Sequence, residues 1–165
     1  MIIPTINEEA SIGRVLDEVE VALTAWDHEV LIVDTASRDR TREIAAKEGA
    51  RVVPEPRRGY GRACLAGVEA AAGADILVFL DGDGSDVPED LPRILAPIQR
   101  GEADLVLGSR ILGRREPGAL SAHQLWGNRL VLMLLRLLYG LRLTDFGPFR
   151  AIRGEALRAL GMGHP

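Results

Sequence analysis

Residues Ile76–Asp86 read ILVFLDGDGSD, five apolar residues that give way at once to a loop of carboxylates and glycines. Such a short run, rich in branched residues and bounded by turn residues, reads as a strand buried on both faces, Ile76–Leu80, with a loop at its carboxyl end. Two upstream runs, Met1–Ile3 and Val30–Val33, have the same character and also end in polar residues. Pro4–Glu9 (PTINEE) follows the first and Asp34 the second. Helical patterns lie between the strands. Ile12, Val15, Leu16, Val19 and Leu23 recur at helical spacing, and Thr41–Lys47 is a shorter amphipathic segment ending at Gly49. Arg51–Val53 reads as a further strand before Pro54 and Pro56, and Ala63–Ala72 as a further helix. The alternation predicts a doubly wound, mostly parallel α/β sheet with right-handed crossovers.

Beyond Asp86 the rhythm changes. Pro88–Gln99 reads as a helix, Asp104–Leu107 as a strand, and Arg110–Leu120 as a loop rich in glycine, proline and arginine. Leu125–Leu138 is apolar and helical, Asp145–Phe149 a turn, and Phe149–Ile152 a strand. With no repeat and no linker, residues 1–165 are expected to form one domain. The longest unbroken apolar stretch of the late helix is Leu130–Leu135, between Arg129 and Arg136. A membrane span needs about 20 mostly apolar residues, so this helix is expected in the core. The alternative is a face that meets a membrane surface or a second copy of the chain.

Composition narrows the function. A 165-residue chain that is 47% hydrophobic can bury a core, which excludes a disordered protein. Cys64 is the single cysteine and suits a reducing, cytoplasmic setting. No basic stretch followed by an apolar one opens the chain, so no signal peptide is expected. Residues 1–92 carry 9 Lys/Arg against 19 Asp/Glu, and residues 93–165 carry 11 against 5. A basic second half can attract phosphates or the anionic inner face of a membrane, where the protein would sit peripherally; arginine spread over solvated helix faces is the other reading. Aromatic residues make up only 4% and no basic recognition helix is present, so nucleic acid is excluded as a partner.

In an open parallel sheet, ligands bind beyond the carboxyl ends of the strands. Three acidic loops gathered there repel one another unless a cation or hydrogen-bond donors offset them. Asp81 and Asp83, two residues apart after a buried strand, can turn toward one ligand, and their hard oxygens suit Mg²⁺ or Mn²⁺ bridging nucleotide phosphates. A purely structural Asp/Gly turn is the competing reading. Asp34 is either a ligand residue or a turn residue, with Ser37 or Asp39 capping the next helix. Pro56–Ala63 (PRRGYGRA) places glycines and arginines before a helix, where a diphosphate can be cradled. It lacks the Lys-Ser/Thr ending of a P-loop.

In order along the chain, IPTINEE, VDTASRD, PRRGYGRA, FLDGDGSD, LVLGSR and TDFGPFRAIR resemble the family 2 glycosyltransferases of GT-A fold, especially the dolichyl-phosphate mannose synthase-like branch. The resemblance implies a nucleotide-sugar-binding part at 1–108 and the start of an acceptor part at 109–165. It implies that Pro4, Thr5, Glu8, Glu9 and Asp34 surround the nucleoside, and that Gly59, Arg62 and Gly82 complete the nucleotide site. Asp81 and Asp83 would hold the metal on the donor diphosphate. Ser109 and Arg110 would lie near the sugar or acceptor phosphate, with Arg114, Arg115, Asp145 and Arg150 on the acceptor side and Asp145 as base in an inverting transfer.

The implied reaction moves a sugar from UDP-glucose or GDP-mannose to a polyprenyl phosphate. Two departures stand out. VDTASRD has Thr-Ala-Ser where Asp-Gly-Ser is usual, and the chain stops soon after FRAIRGEALRALG, where members of that family continue. The alternatives are a sugar-phosphate nucleotidyltransferase, against which an acidic PTINEE counts, and a non-catalytic nucleotide-binding fragment.

Overall fold

A computed structural model describes residues 1–109, 122–140, 143–145 and 147–161; within 122–130, only Gly127 is described beyond the backbone. Its strands are β1 (Ile2–Thr5), β2 (Leu31–Asp34), β3 (Arg51–Pro54), β4 (Ile76–Phe79), β5 (Leu105–Leu107) and β6 (Arg150–Arg153). The helices are α1 (Ile12–Ala22), α2 (Thr41–Lys47), α3 (Tyr60–Ala70), α4 (Leu91–Gln99), α5 (Ala122–Tyr139) and α6 (Gly154–Ala159). The six strands lie in the order β3-β2-β1-β4-β6-β5. The β1–β2, β2–β3 and β1–β4 pairings are parallel. β6 runs antiparallel to both of its neighbours, so it alone breaks the parallel sheet.

Strand alternation divides the core between the two faces of the sheet. Ile3, Ile32, Val78, Leu80 and Ala151 pack with Ile12, Val15, Leu16 and Val19 of α1 and Leu91, Ile94, Leu95 and Ile98 of α4. Ile2, Leu31, Val33, Leu77, Phe79 and Ile152 face the other way, onto Ala63 and Cys64 of α3 and Leu157 of α6. Helices on both faces bury β1, β2 and β4, which is why these strands read as largely apolar runs rather than as alternating ones. The doubly wound, mostly parallel sheet expected from the sequence is present.

Several expected boundaries are corrected. α3 begins at Tyr60, not Ala63, because the first turn of a helix needs no apolar face; Gly61 and Arg62 therefore belong to the helix rather than to a loop. Pro88–Gln99 divides into a single 3₁₀ turn, Pro88–Asp90, and α4. The last strand is Arg150–Arg153, inserted between β4 and β5. Pro54 lies inside β3, which is tolerated because β3 is an edge strand.

The core placement expected for the late apolar helix is also corrected. α5 packs closely against no other described element, and Val131, Met133, Leu134, Leu137, Leu138 and Tyr139 are exposed. No described helix is long and apolar enough to cross a membrane.

Candidate functional site

β1, β2 and β4 end at one edge of the sheet, and a cavity of about 260 Å³ opens there. It is lined by Pro4 and Thr5 of β1, Ile6 and Glu8 after it, Thr35 after β2, Arg58, Gly59, Tyr60 and Ala63 around the start of α3, and Asp81, Gly82 and Asp83 after β4. Four separate segments of the chain thus supply the site.

Hydrogen bonds hold these loops in place. The Asn7, Glu8 and Glu9 amides donate to Ser37 Oγ (2.9 Å), Thr41 Oγ1 (2.8 Å) and Asp39 Oδ2 (3.1 Å). In return the Arg38 amide donates to Asn7 Oδ1 (2.9 Å) and the Arg40 amide to Glu9 Oε2 (3.1 Å). Ser11 Oγ donates to the Gly82 carbonyl at 2.8 Å and lies 3.2 Å from Glu8 Oε2, joining the β1 loop to the Asp81–Asp83 loop. Glu55 accepts two side-chain hydrogen bonds from Arg57, at 2.9 and 3.0 Å, and one from the Arg57 amide at 2.9 Å. That clamp sets the chain direction just before Arg58, Gly59 and Tyr60 enter the cavity.

The cavity lining combines the carboxylates Glu8, Asp81 and Asp83 with the guanidinium of Arg58. Burial pushes the Glu8 carboxyl above its ordinary range, and the negative charge of Asp83, Asp39 and Asp81 pushes the same way. Asp83 Oδ1 accepts the Ser85 amide at 2.9 Å, and Asp86 Oδ2 accepts the Asp81 amide at 3.0 Å. A Cβ on Gly82 would stand 2.8 Å from Thr5 Cγ2, so only glycine lets the loop approach this closely.

Tyr60 also lines the cavity, and its phenol is held above its ordinary pKa first by burial, then by Cys64 and Asp81. Arg150 joins this group from β6, its guanidinium carbon 5.1 Å from the centre of the Phe79 ring. Burial likewise pushes the Cys64 thiol up, against the pull of Tyr60 and Arg150.

The donor set suits a divalent cation on a diphosphate. Among the described residues no three His, Cys, Asp or Glu side chains form a complete metal cage. Mg²⁺-type ions bound to nucleotides need only one or two carboxylates, the remaining ligands being phosphate and water. Asp81 and Asp83 provide that number, Arg58 lines the same cavity, and the amino end of α3 favours negative charge.

Of the expected nucleotide residues, Pro4, Thr5, Glu8, Gly59 and Gly82 line this cavity together with Asp81 and Asp83. Glu9 instead pairs with Arg40, its Oε2 3.8 Å from Nε. Arg62 is exposed on the first turn of α3, and Arg58 lines the cavity in its stead. Asp34 is 2% exposed, with Oδ1 accepting the Ser37 amide at 3.0 Å. That bond shapes the turn after β2, and Asp39 also accepts the Thr41 amide at the start of α2 (3.0 Å).

Asp145 is buried, and lines a second cavity of about 300 Å³ with Leu105, Val106, Leu107, Leu143 and Thr144; the two linings share no residue. Thr144 Oγ1 donates to Ser109 Oγ at 3.0 Å. Arg110, Arg114 and Arg115 lie outside the described residues. Thr35, Arg58 and Tyr60 were not singled out from the sequence; PRRGYGRA, lying before a helix, held the signal for the last two.

The family model for glycosyl transferase family 2 matches residues 1–161. A glycosyltransferase of Mycobacterium tuberculosis described as uncharacterized is 40% identical over 166 residues, covering 98% of this chain and 70% of the relative. The undecaprenyl-phosphate mannosyltransferase of Micrococcus luteus is 35% identical over 177 residues, covering 98% of this chain and 68% of the relative. Among solved structures, the glucosyl-3-phosphoglycerate synthase of Mycobacterium tuberculosis with Mn²⁺, UDP-glucose and phosphoglyceric acid superposes with a TM-score of 0.71 at 29% identity. The match covers 94% of this chain but only 56% of the solved one.

Proposed function

This chain belongs to glycosyl transferase family 2, and on that footing we propose that it transfers a sugar from a nucleotide-sugar donor, UDP-glucose or GDP-mannose, to a polyprenyl phosphate. The observation that carries the donor half is the cavity that brings Asp81 and Asp83 together with Arg58 and the start of α3. Asp81 and Asp83 would hold Mg²⁺ or Mn²⁺, and a bound cation of this kind offsets the negative charge that builds on the departing diphosphate. Arg58 and the amino end of α3 grip that diphosphate, and Tyr60 closes the side toward Arg150. Pro4, Thr5 and Thr35 wall the nucleoside end.

The acceptor half rests on Asp145, Arg150 and the exposed face of α5. An ionised phosphate oxygen attacking C1 of the sugar from the side opposite the diphosphate gives inversion. It needs no base, so Asp145 orients groups in that case; toward a hydroxyl acceptor it would take the proton. The lipid acceptor is favoured by α5, which exposes Leu137 and Leu138 beside Arg136, and it accords with the undecaprenyl-phosphate relative. A soluble phosphorylated acceptor is the second reading, favoured by the phosphoglyceric acid held in the solved relative.

Incubation of the chain with nucleotide sugar, Mn²⁺ and either polyprenyl phosphate or phosphoglyceric acid decides between them. Glycolipid product is expected. Product from phosphoglyceric acid alone replaces the acceptor, pyrophosphate exchange indicates a nucleotidyltransferase, and binding without turnover leaves a nucleotide-binding module.

A further inference from the structure

We propose that the second cavity, lined by β5 and residues 143–145, is the subsite for the apolar chain of the acceptor, with Leu105 and Leu107 selecting a prenyl chain over a polar one. This rests on the lipid-phosphate reading above and deepens it.

Register fixes where β5 points. Val106 pairs with Ala151, and both pack in the core that α1 and α4 cover. Leu105 and Leu107 therefore face the other way, beside their partners Ile152 and Arg150. Among the described helices only α4 packs closely on β5, and it does so from the Val106 side. The Leu105–Leu107 face is left without a described helix, and Leu105 is 49% exposed on the last strand of the sheet. Apolar side chains on a sheet edge are a liability that proteins normally cover.

The cavity beside this strip measures about 300 Å³, and Leu143, Thr144 and Asp145 complete its described lining. Four apolar residues, one hydroxyl and one carboxyl make a mostly apolar wall with a few placed polar groups, the usual composition of a site for an apolar ligand. No Lys, Arg or His is among the described lining residues. A second anionic group on the acceptor, such as the carboxylate of phosphoglyceric acid, would meet Asp145 there with nothing to pair it. A hydrocarbon chain meets leucine and valine.

The phosphate has a place next to this cavity. Arg150 is the register partner of Leu107 on the same face, so their Cβ atoms stand about 4.5–5.5 Å apart. The Arg150 guanidinium carbon lies 5.1 Å from the centre of the Phe79 ring, and its charge acts on Tyr60, which lines the nucleotide cavity. An acceptor phosphate paired with Arg150 is thus turned toward the donor. Its first carbons run onto Leu107 and then Leu105, about 7 Å further along the strand.

Calorimetric titration of the full chain, with Mn²⁺ and UDP or GDP present, compares geranyl phosphate, inorganic phosphate and phosphoglyceric acid. Each buried methylene is worth about fourfold in affinity, so geranyl phosphate is expected to bind at least about 10-fold tighter than either competitor. Leu105→Asn should remove most of that advantage and Leu105→Met should keep it, with nucleoside diphosphate binding unchanged in both. The α5 pair Leu137→Ser, Leu138→Ser should leave the advantage in place. An advantage that survives Leu105→Asn, or that vanishes with the α5 pair, places the chain elsewhere and overturns the proposal while the lipid-phosphate reading stands. A Leu105→Asn variant that weakens every ligand together, the nucleotide included, shows a merely structural residue and also overturns it. Equal binding of the three phosphates, or none, overturns it as well, and tighter binding of phosphoglyceric acid removes the lipid-phosphate reading too. Because the cavity is finite, farnesyl phosphate should gain little over geranyl phosphate, whereas affinity that keeps rising with chain length marks an open surface. If Leu105→Asn does not fold, that levelling decides.

Discussion

Gly82 lies so close over Thr5 that a methyl group on it would stand 2.8 Å from Thr5 Cγ2. Thr5 is short, β-branched and buried, so it cannot swing aside as a long surface chain would. Relief must come from the Asp81–Asp83 loop lifting off the end of β1. Overpacking of this kind costs about 1–3 kcal/mol. Gly82→Ala is therefore expected to lower the melting temperature and to weaken nucleotide binding with Mn²⁺, because the two carboxylates move with the loop. A variant that melts and binds as the parent does would show that this contact is not tight.

Ala36 adopts φ 63°, in the left-handed region, at the place where the family resemblance leads one to expect glycine. A non-glycine residue there costs about 1–2 kcal/mol, while glycine costs about 0.5–1 kcal/mol through the freer unfolded chain. The first effect is the larger, so Ala36→Gly should stabilise the protein by about 0.5–1 kcal/mol. Denaturant unfolding measures this; a lower midpoint would contradict it.

Asp83 combines two tasks that one substitution can separate. Its Oδ1 accepts the Ser85 amide at 2.9 Å, which shapes the loop, and its charge is what a cation would need. Asp83→Asn keeps the acceptor and loses the charge. The melting temperature without ligand should stay near that of the parent, while the Mn²⁺-dependent stabilisation by nucleoside diphosphate disappears. Retention of that metal-dependent shift would sink the assignment of Asp83 as a ligand.

The Glu55–Arg57 clamp gives a dependence on acid. Hydrogen bonds from the Arg57 side chain, then from its amide, hold the Glu55 carboxyl at about 2, down from 4.5. A folded-state value below the unfolded one means that the stabilisation is complete above pH 4.5 and is lost as pH falls toward about 2. Across that window the parent should lose stability more steeply than Arg57→Ala. Parallel pH curves for the two proteins would show that the clamp contributes nothing.

Much of this site was legible because the strands are buried on both faces. ILVFL could be little other than a central strand, and the loop after it had to reach the ligand edge, which placed Asp81 and Asp83 at once. The arginine–glycine loop was harder. Apolar periodicity in α3 starts at Ala63, so the polar first turn was hidden, and Arg58 and Tyr60 were passed over for Arg62. Glu9 carries the same chemistry as Glu8 one position earlier, and only the fold shows that it turns to Arg40. The insertion of β6 between β4 and β5 is a non-local pairing that no periodicity reports. α5 misled most, since a run such as Leu130–Leu135 has the same composition whether it fills a core or stands at a surface.

That exposed helix carries the last prediction. Val131, Met133, Leu134, Leu137 and Leu138 leave too much apolar surface for an isolated helix in water, with Arg136 exposed among them. A cluster of this composition suits a headgroup region, where leucines enter the acyl boundary and arginine reaches outward to lipid phosphate. It would bring a polyprenyl phosphate alongside the second half of the chain. Flotation with anionic liposomes should carry the protein upward at low salt, and less so as salt rises. The double variant Leu137→Ser, Leu138→Ser should stay in the soluble fraction while still binding nucleoside diphosphate, since neither residue lines the nucleotide cavity. Sedimentation separates the rival occupant, because a helix that meets a second copy gives a dimer without lipid that the same variant abolishes. A parent protein that neither floats nor dimerises would leave α5 without a surface role and would move the acceptor toward a soluble phosphate.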